Sequence, residues 1–116
     1  MSQAVVVGNL VDDPELMFAT SGNAWTRFTV VESWKKKDSD ERESHFYDCK
    51  MFGQAAEHLA ESALKGDTVV VVGSLTQDKW EDKDGNKRSK IVVIARDVGL
   101  SVRWHPVTAN RPERQS

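Results

Sequence analysis

The chain has little cysteine: Cys49 is the only one among 116 residues. An internal disulfide is therefore excluded, and so is a zinc site built on paired cysteines. Long apolar runs are missing too. Stretches such as Val69 to Val72 are only a few residues long, far short of the roughly 20 that a membrane-spanning helix needs. The N-terminus does not show the basic, then apolar, pattern of a secretory signal. No membrane association is expected, and a cytoplasmic location is the expectation. Positive charge is not in excess either. The net charge is −2 and the pI is near 5.9, which in bulk counts against a nucleic-acid binder.

Recognisable reaction chemistry is absent as well. No glycine-rich phosphate loop leads from a strand into a helix, and no metalloprotease helix motif is present. His45, His58 and His105 are scattered, without carboxylate or cysteine neighbours at ligand spacing. Asp12 and Asp13 are adjacent, so at a strand end they point apart and read as turn formers. Ser33, Ser44 and Ser62 have no nearby base in sequence. Catalysis is unsupported, and no metal or cofactor is expected.

Three segments pair large rings with cations instead. In His45–Gly53 (HFYDCKMFG) the period of a strand puts Tyr47, Cys49 and Met51 on one face and Phe46, Asp48, Lys50 and Phe52 on the other. The first set suits a core. The second carries two phenylalanines around a lysine, where a solvent face is normally polar. Trp34 stands beside Lys35, Lys36 and Lys37, and Trp80 stands beside Lys79 at the base of a hairpin that carries Lys83, Lys87 and Arg88. One exposed ring is more often packing than a ligand platform. Their recurrence beside cations points to a groove that stacks bases and holds phosphates, so these signs are locally basic on an acidic body.

In chain order, Ala4–Leu10 reads as a buried strand that Gly8 bends or bulges. Asp12, Asp13 and Pro14 then form a turn. A second turn at Thr20–Asn23 leads into a strand from Ala24 to Val31, with Thr26, Phe28 and Val30 inward and Trp25, Arg27, Thr29 and Val31 outward. Lys35–Ser44 is so charged that it reads as a mobile loop. Gln54–Lys65 reads as an amphipathic helix with a stripe of Ala55, Ala56, Leu59, Ala60, Ala63 and Leu64, Lys65 at its negative end and Gly66 as its cap. A strand from Thr68 runs on to Trp80, Asp84-Gly85 turns it, and Lys90–Ala95 returns. A last alternating segment places Val98, Leu100, Val102 and Trp104 on one face. Five to six strands with one helix after the third fit a small, partly open β-barrel closed at one end by the helix.

The residues that carry a resemblance are VGNL followed by DPE, the SG turn with the FTV strand, and the strand ending in Phe52. They continue with AAEHLAESALKGD, VVVVGSL leading to Lys79-Trp80, and DKDGNKR. In this order and spacing the chain resembles the bacterial single-stranded DNA-binding proteins from residue 4 to about 107, and its GLSVRW segment resembles the actinobacterial branch most. The resemblance implies an all-β, five-stranded OB-fold barrel with one short helix between strands 3 and 4, usually assembled as a homotetramer. It implies binding and protection of single-stranded DNA in replication, recombination or repair, without catalysis. It places stacking on Phe46, Phe52 and Trp80, with Trp34 a looser match because the preceding strand is shorter here. It places phosphate contacts on Lys50, Lys79, Lys87 and Arg88, with Lys35 beside Trp34.

Residues 1–107 are expected to form the DNA-binding domain and 108–116 a short flexible tail. Three departures carry expectations of their own. Phe46 stands where many relatives have tryptophan, which leaves a smaller stacking face. Asp48 lies where a basic residue is common and should weaken that part of the groove. The chain stops at RPERQS without the acidic tip that recruits partners in many relatives, so partners of that kind are not expected, as in an accessory paralogue or a phage or plasmid version. The rival readings are a protein-interaction module, RNA as ligand, and, least supported, an enzyme on the same barrel. Trp25 could stack bases or pack between subunits, and packing is favoured.

Overall fold

The computed structural model describes residues 2–112, so the last four residues of the expected tail lie outside the described residues. Six strands and one helix follow in order: β1 (Gln3–Leu10), β2 (Glu15–Phe18), β3 (Ala24–Lys35), β4 (Arg42–Phe52), α1 (Gln54–Ser62), β5 (Thr68–Glu81) and β6 (Lys87–Leu100). The sheet runs β1-β5-β6-β4-β3-β2, and β1 also pairs with β3. That extra pairing closes β1, β3, β4, β6 and β5 into a ring, the expected five-stranded barrel. The four-residue β2 is an addition outside the ring, paired to β3 alone. Its ELMF sequence is too short for periodicity to reveal, and it moves the helix to a place between the fourth and fifth strands.

Closure depends on two glycines. β1 picks up β3 at Asn9, just after Gly8, and a side chain at Gly8 would strike the Val31 carbonyl. At Gly73 the β5–β6 register slips, and a side chain would strike the Ile94 carbonyl. Both are close approaches of one backbone to another, and the second is a bulge of the kind that turns a barrel corner.

The core lies inside this ring. Val30, Val69, Val71, Val92, Val93, Thr26 and Cys49 are the largest fully buried side chains. Burying each valine contributes about 1.5–3 kcal/mol relative to exposure. Helix α1 covers one end with Ala56 and Leu59, and Ala63 just beyond it is also buried. The helix stops three residues earlier than the sequence predicts. Leu64 N–H donates to Asp67 Oδ2 and Lys65 N–H to Asp13 Oδ1. Gly66 falls in the following turn and donates to the Leu10 carbonyl. Side-chain partners, one local and one long-range, thus take the N–H groups just past the helix; Leu64 stays exposed and Lys65 lies outside the last turn.

Two further expectations change. The charged stretch Lys35–Ser44 is a loop only over residues 36–41: its ends are strand, because β3 and β4 pair as far as Lys35 opposite Arg42. This ribbon projects from the barrel with both faces wet, so it needs no apolar alternation. Opposite charges pair across it instead, Lys36 with Glu41 and Glu43 at 3.6 and 3.3 Å. The two segments predicted after the hairpin are one bulged strand, β6, which ends at Leu100. Val102 and Trp104 lie past its end, exposed, and Arg103 sits over the Trp104 ring at 4.6 Å.

Candidate nucleic-acid interface

Strand pairing builds the outer face of β3–β4 two residues at a time. Trp25 stands opposite Phe52, Arg27 opposite Lys50, Thr29 opposite Asp48 and Val31 opposite Phe46. The intervening pairs, Thr26 with Met51 and Phe28 with Cys49, point into the core. The predicted sorting of faces therefore holds along β4. Phe46 is 65% exposed and Phe52 55%, although each buried Å² of ring would stabilise the fold by about 25 cal/mol. Packing within the monomer does not account for them.

The β5–β6 hairpin supplies the second wall. Trp80 lies opposite Arg88 and Asp78 opposite Lys90, and Trp80 is 46% exposed. Trp80, Asp78 and Lys90 meet Arg27, Asp48 and Lys50 around a cleft of about 230 Å³, floored by Cys49 and Val92. Rings and cations that are far apart in sequence are thus brought together here. Burial pushes the Cys49 thiol up to about 12, so it stays protonated within the core and is no nucleophile.

The cations in this cleft are mostly committed. Lys50 Nζ donates to Asp78 Oδ2 at 2.7 Å. Lys90 Nζ donates to Asp48 Oδ2 at 2.9 Å, and Thr29 Oγ1 donates to Asp48 Oδ1 at 3.0 Å. The hydrogen bond from Lys90, against the opposing effect of burial, holds the Asp48 carboxyl below its ordinary range. Asp48 therefore does not stand as the bare negative charge the sequence implies. Arg27 has no ion pair among the described residues. Three cations face two carboxylates, which leaves the cleft weakly positive.

The other sequence-predicted residues are distributed differently. Lys79 and Lys87 alternate with Trp80 and Arg88 along the hairpin, yet all four line one open concavity of about 400 Å³. Arg88 shares the Trp80 face and donates from Nε to Asp82 Oδ2 at 2.9 Å. Asp82 Oδ1 also accepts the backbone N–H groups of Asp84 and Asn86. The bonds from Asn86 and Arg88 hold its carboxyl below the usual range, so one carboxylate orders the turn and fixes the guanidinium near the indole. Trp34 continues the side of β3 that carries Phe28 and Val30, away from Phe46. It meets His45 edge-on at 4.6 Å, and His45 meets Tyr47 at 6.5 Å. Lys35 pairs with Asp40 at 3.4 Å.

Sequence reasoning left Arg27 and Lys90 out of the site. Arg27 could have been found, since it is outward on β3. Lys90 needed the hairpin register. Trp25, left between two roles, lies nearly parallel to Phe52, with centroids 6.3 Å apart and planes at 19°.

Comparison with known sequences identifies the family. Residues 1–101 match the Single-strand binding protein family. The chain is 37% identical over 114 residues to the single-stranded DNA-binding protein of Mycolicibacterium smegmatis, across 94% of this chain and 69% of that protein. It is 43% identical over 103 residues to single-stranded DNA-binding protein 2 of Streptomyces coelicolor, across 84% of this chain and 52% of that protein. The single-stranded DNA-binding protein of Aquifex aeolicus is 37% identical over 103 residues, covering 86% and 69%. The chain thus spans between half and somewhat over two thirds of these relatives.

Proposed function

The chain belongs to the single-strand binding protein family, and we propose that it binds single-stranded DNA with little regard to sequence, stacking bases on Phe46, Phe52 and Trp80. The observation that carries this reading is the exposure of these three rings around one weakly positive cleft: Trp80 lines it, and Phe46 and Phe52 flank the Asp48 and Lys50 that do. Every base has a π-face, so a stacking surface tolerates any sequence. The protein is a binder and not an enzyme, and its general role is that of its family, holding unpaired strands in replication, recombination and repair.

Phosphate contacts fall to Arg27 and Lys90 besides Lys50, with Lys79, Lys87 and Arg88 reached where the strand passes the hairpin, and Lys35 with Trp34 further along the β3–β4 ribbon. Lys50 has three donors and can keep Asp78 while meeting a phosphate, but each shared cation contributes less. Residues 1–107 act as the binding domain. A homotetramer is supported by the outer face of β1–β5. There Val5 and Val7 are 68% and 47% exposed opposite half-buried Val72 and Val70, an apolar patch fit to meet another copy. Among the described residues no helix is long and apolar enough to cross a membrane, and the cytoplasm is where such a binder meets its DNA.

Titration with oligothymidine at two salt concentrations tests this reading. Each phosphate neutralised on a single strand contributes about −0.7 to the slope of log affinity against log salt. Asp78→Asn releases Lys50 and should tighten binding at low salt about two- to fivefold, equivalent to roughly 0.5–1 kcal/mol. The slope should steepen by about 0.7. Affinity lower than wild type for Asp78→Asn would show that Lys50 does not face the phosphates. Absence of any salt-dependent binding would sink the reading itself.

A further inference from the structure

A second concave surface adjoins the first. The end of β2, the turn that follows it and the start of β3 enclose a cleft of about 650 Å³ with Phe52 and Lys50. Its apolar wall is Phe18, which is 62% exposed, together with Trp25 beside Phe52. Its rim is the Thr20–Asn23 turn, whose hydroxyl and amide groups can both donate and accept.

We propose that this cleft is an additional nucleobase subsite, with Trp25 as its stacking ring, and that it receives the nucleotide next to the one on Phe52. The inference rests on the function proposed above. Continuity argues for a base as the occupant: Lys50 lines both clefts, so a strand lying on Phe52 reaches Trp25 without leaving the same cation. The chemistry argues for it too. A flat ring flanked by a lysine and a polar turn matches a base with its phosphate, whereas the centre of a subunit interface is depleted of charge.

The test uses the full chain in two forms. In the variant Trp34→Phe, Trp80→Phe, Trp104→Phe, the only indole is Trp25, and its emission should be quenched as labelled oligothymidine binds, binding itself being read by anisotropy. In Trp25→Ala, affinity for long oligothymidine should fall about tenfold, within the range for loss of one stacked base. The shortest oligomer that reaches full affinity should also lose one or two nucleotides. Unchanged Trp25 emission while anisotropy reports binding would overturn the subsite and leave the broader function standing. No anisotropy change in the wild-type protein would overturn that function as well. A Trp25→Ala protein that falls to a smaller sedimenting species, together with unquenched Trp25, would assign the ring to subunit packing and overturn the proposal.

Discussion

Replacing Trp80 with alanine should weaken oligothymidine binding at least tenfold while leaving the sedimenting mass and the melting temperature close to wild type. The indole is nearly half exposed, so its removal takes little from the core. It stands at the hairpin base, opposite an arginine that Asp82 holds in place, on the wall where β5–β6 meets β3–β4. One stacked base is worth about 1–3 kcal/mol, or roughly five- to 150-fold in affinity. Because neighbouring stacks share one strand, such losses do not add. Trp80→Phe should recover part of the affinity, which a purely structural role would not require. An unchanged dissociation constant in Trp80→Ala would remove this ring from the site.

The largest effect on stability is expected at Gly73. Its substitution by alanine places a methyl group against the Ile94 carbonyl and within 2.9 Å of the Ala95 Cα. All of these are backbone atoms, which cannot step aside as a flexible side chain can. The bulge between Val72 and Gly73 would have to re-form, at a cost of about 2–4 kcal/mol. For a domain of this size that lowers the melting temperature by on the order of 10–20 °C. Gly99, in the partner strand β6, is the control: a Cβ there meets nothing within 4 Å, and Gly99→Ala should melt close to wild type. Equal melting curves for the two variants would contradict this account of the barrel corner.

Much of the fold was legible because period-two patterning survives wherever one face is buried. Tyr47, Cys49 and Met51 were assigned inward, and Thr26, Phe28 and Val30 likewise, and the barrel follows from those faces. Patterning is silent where both faces are wet, so the paired ends of β3 and β4 read as loop. It is equally silent where hydrogen bonds to side chains decide, as after α1, where Leu64 meets nearby Asp67 and Lys65 meets distant Asp13. The outward position of Phe46, Phe52 and Trp80 was also readable. Ion pairing between distant strands was not: Lys50 with Asp78 is 28 residues apart and Lys90 with Asp48 is 42. Those pairs turn an expected row of free cations into a nearly balanced cleft. The side taken by Trp34 could have been read by continuing the alternation from Phe28, had the strand been carried past Val31.

The most direct measurement is photocrosslinking of oligothymidine carrying single 5-iododeoxyuridines, with the attachment sites mapped by mass spectrometry. Attachments at Phe46, Phe52 and Trp80 are predicted, on the exposed faces of β4 and of the β5–β6 hairpin. Attachments confined to the Val5–Val7 face of β1 or to helix α1, with those three rings unmodified, would contradict the account.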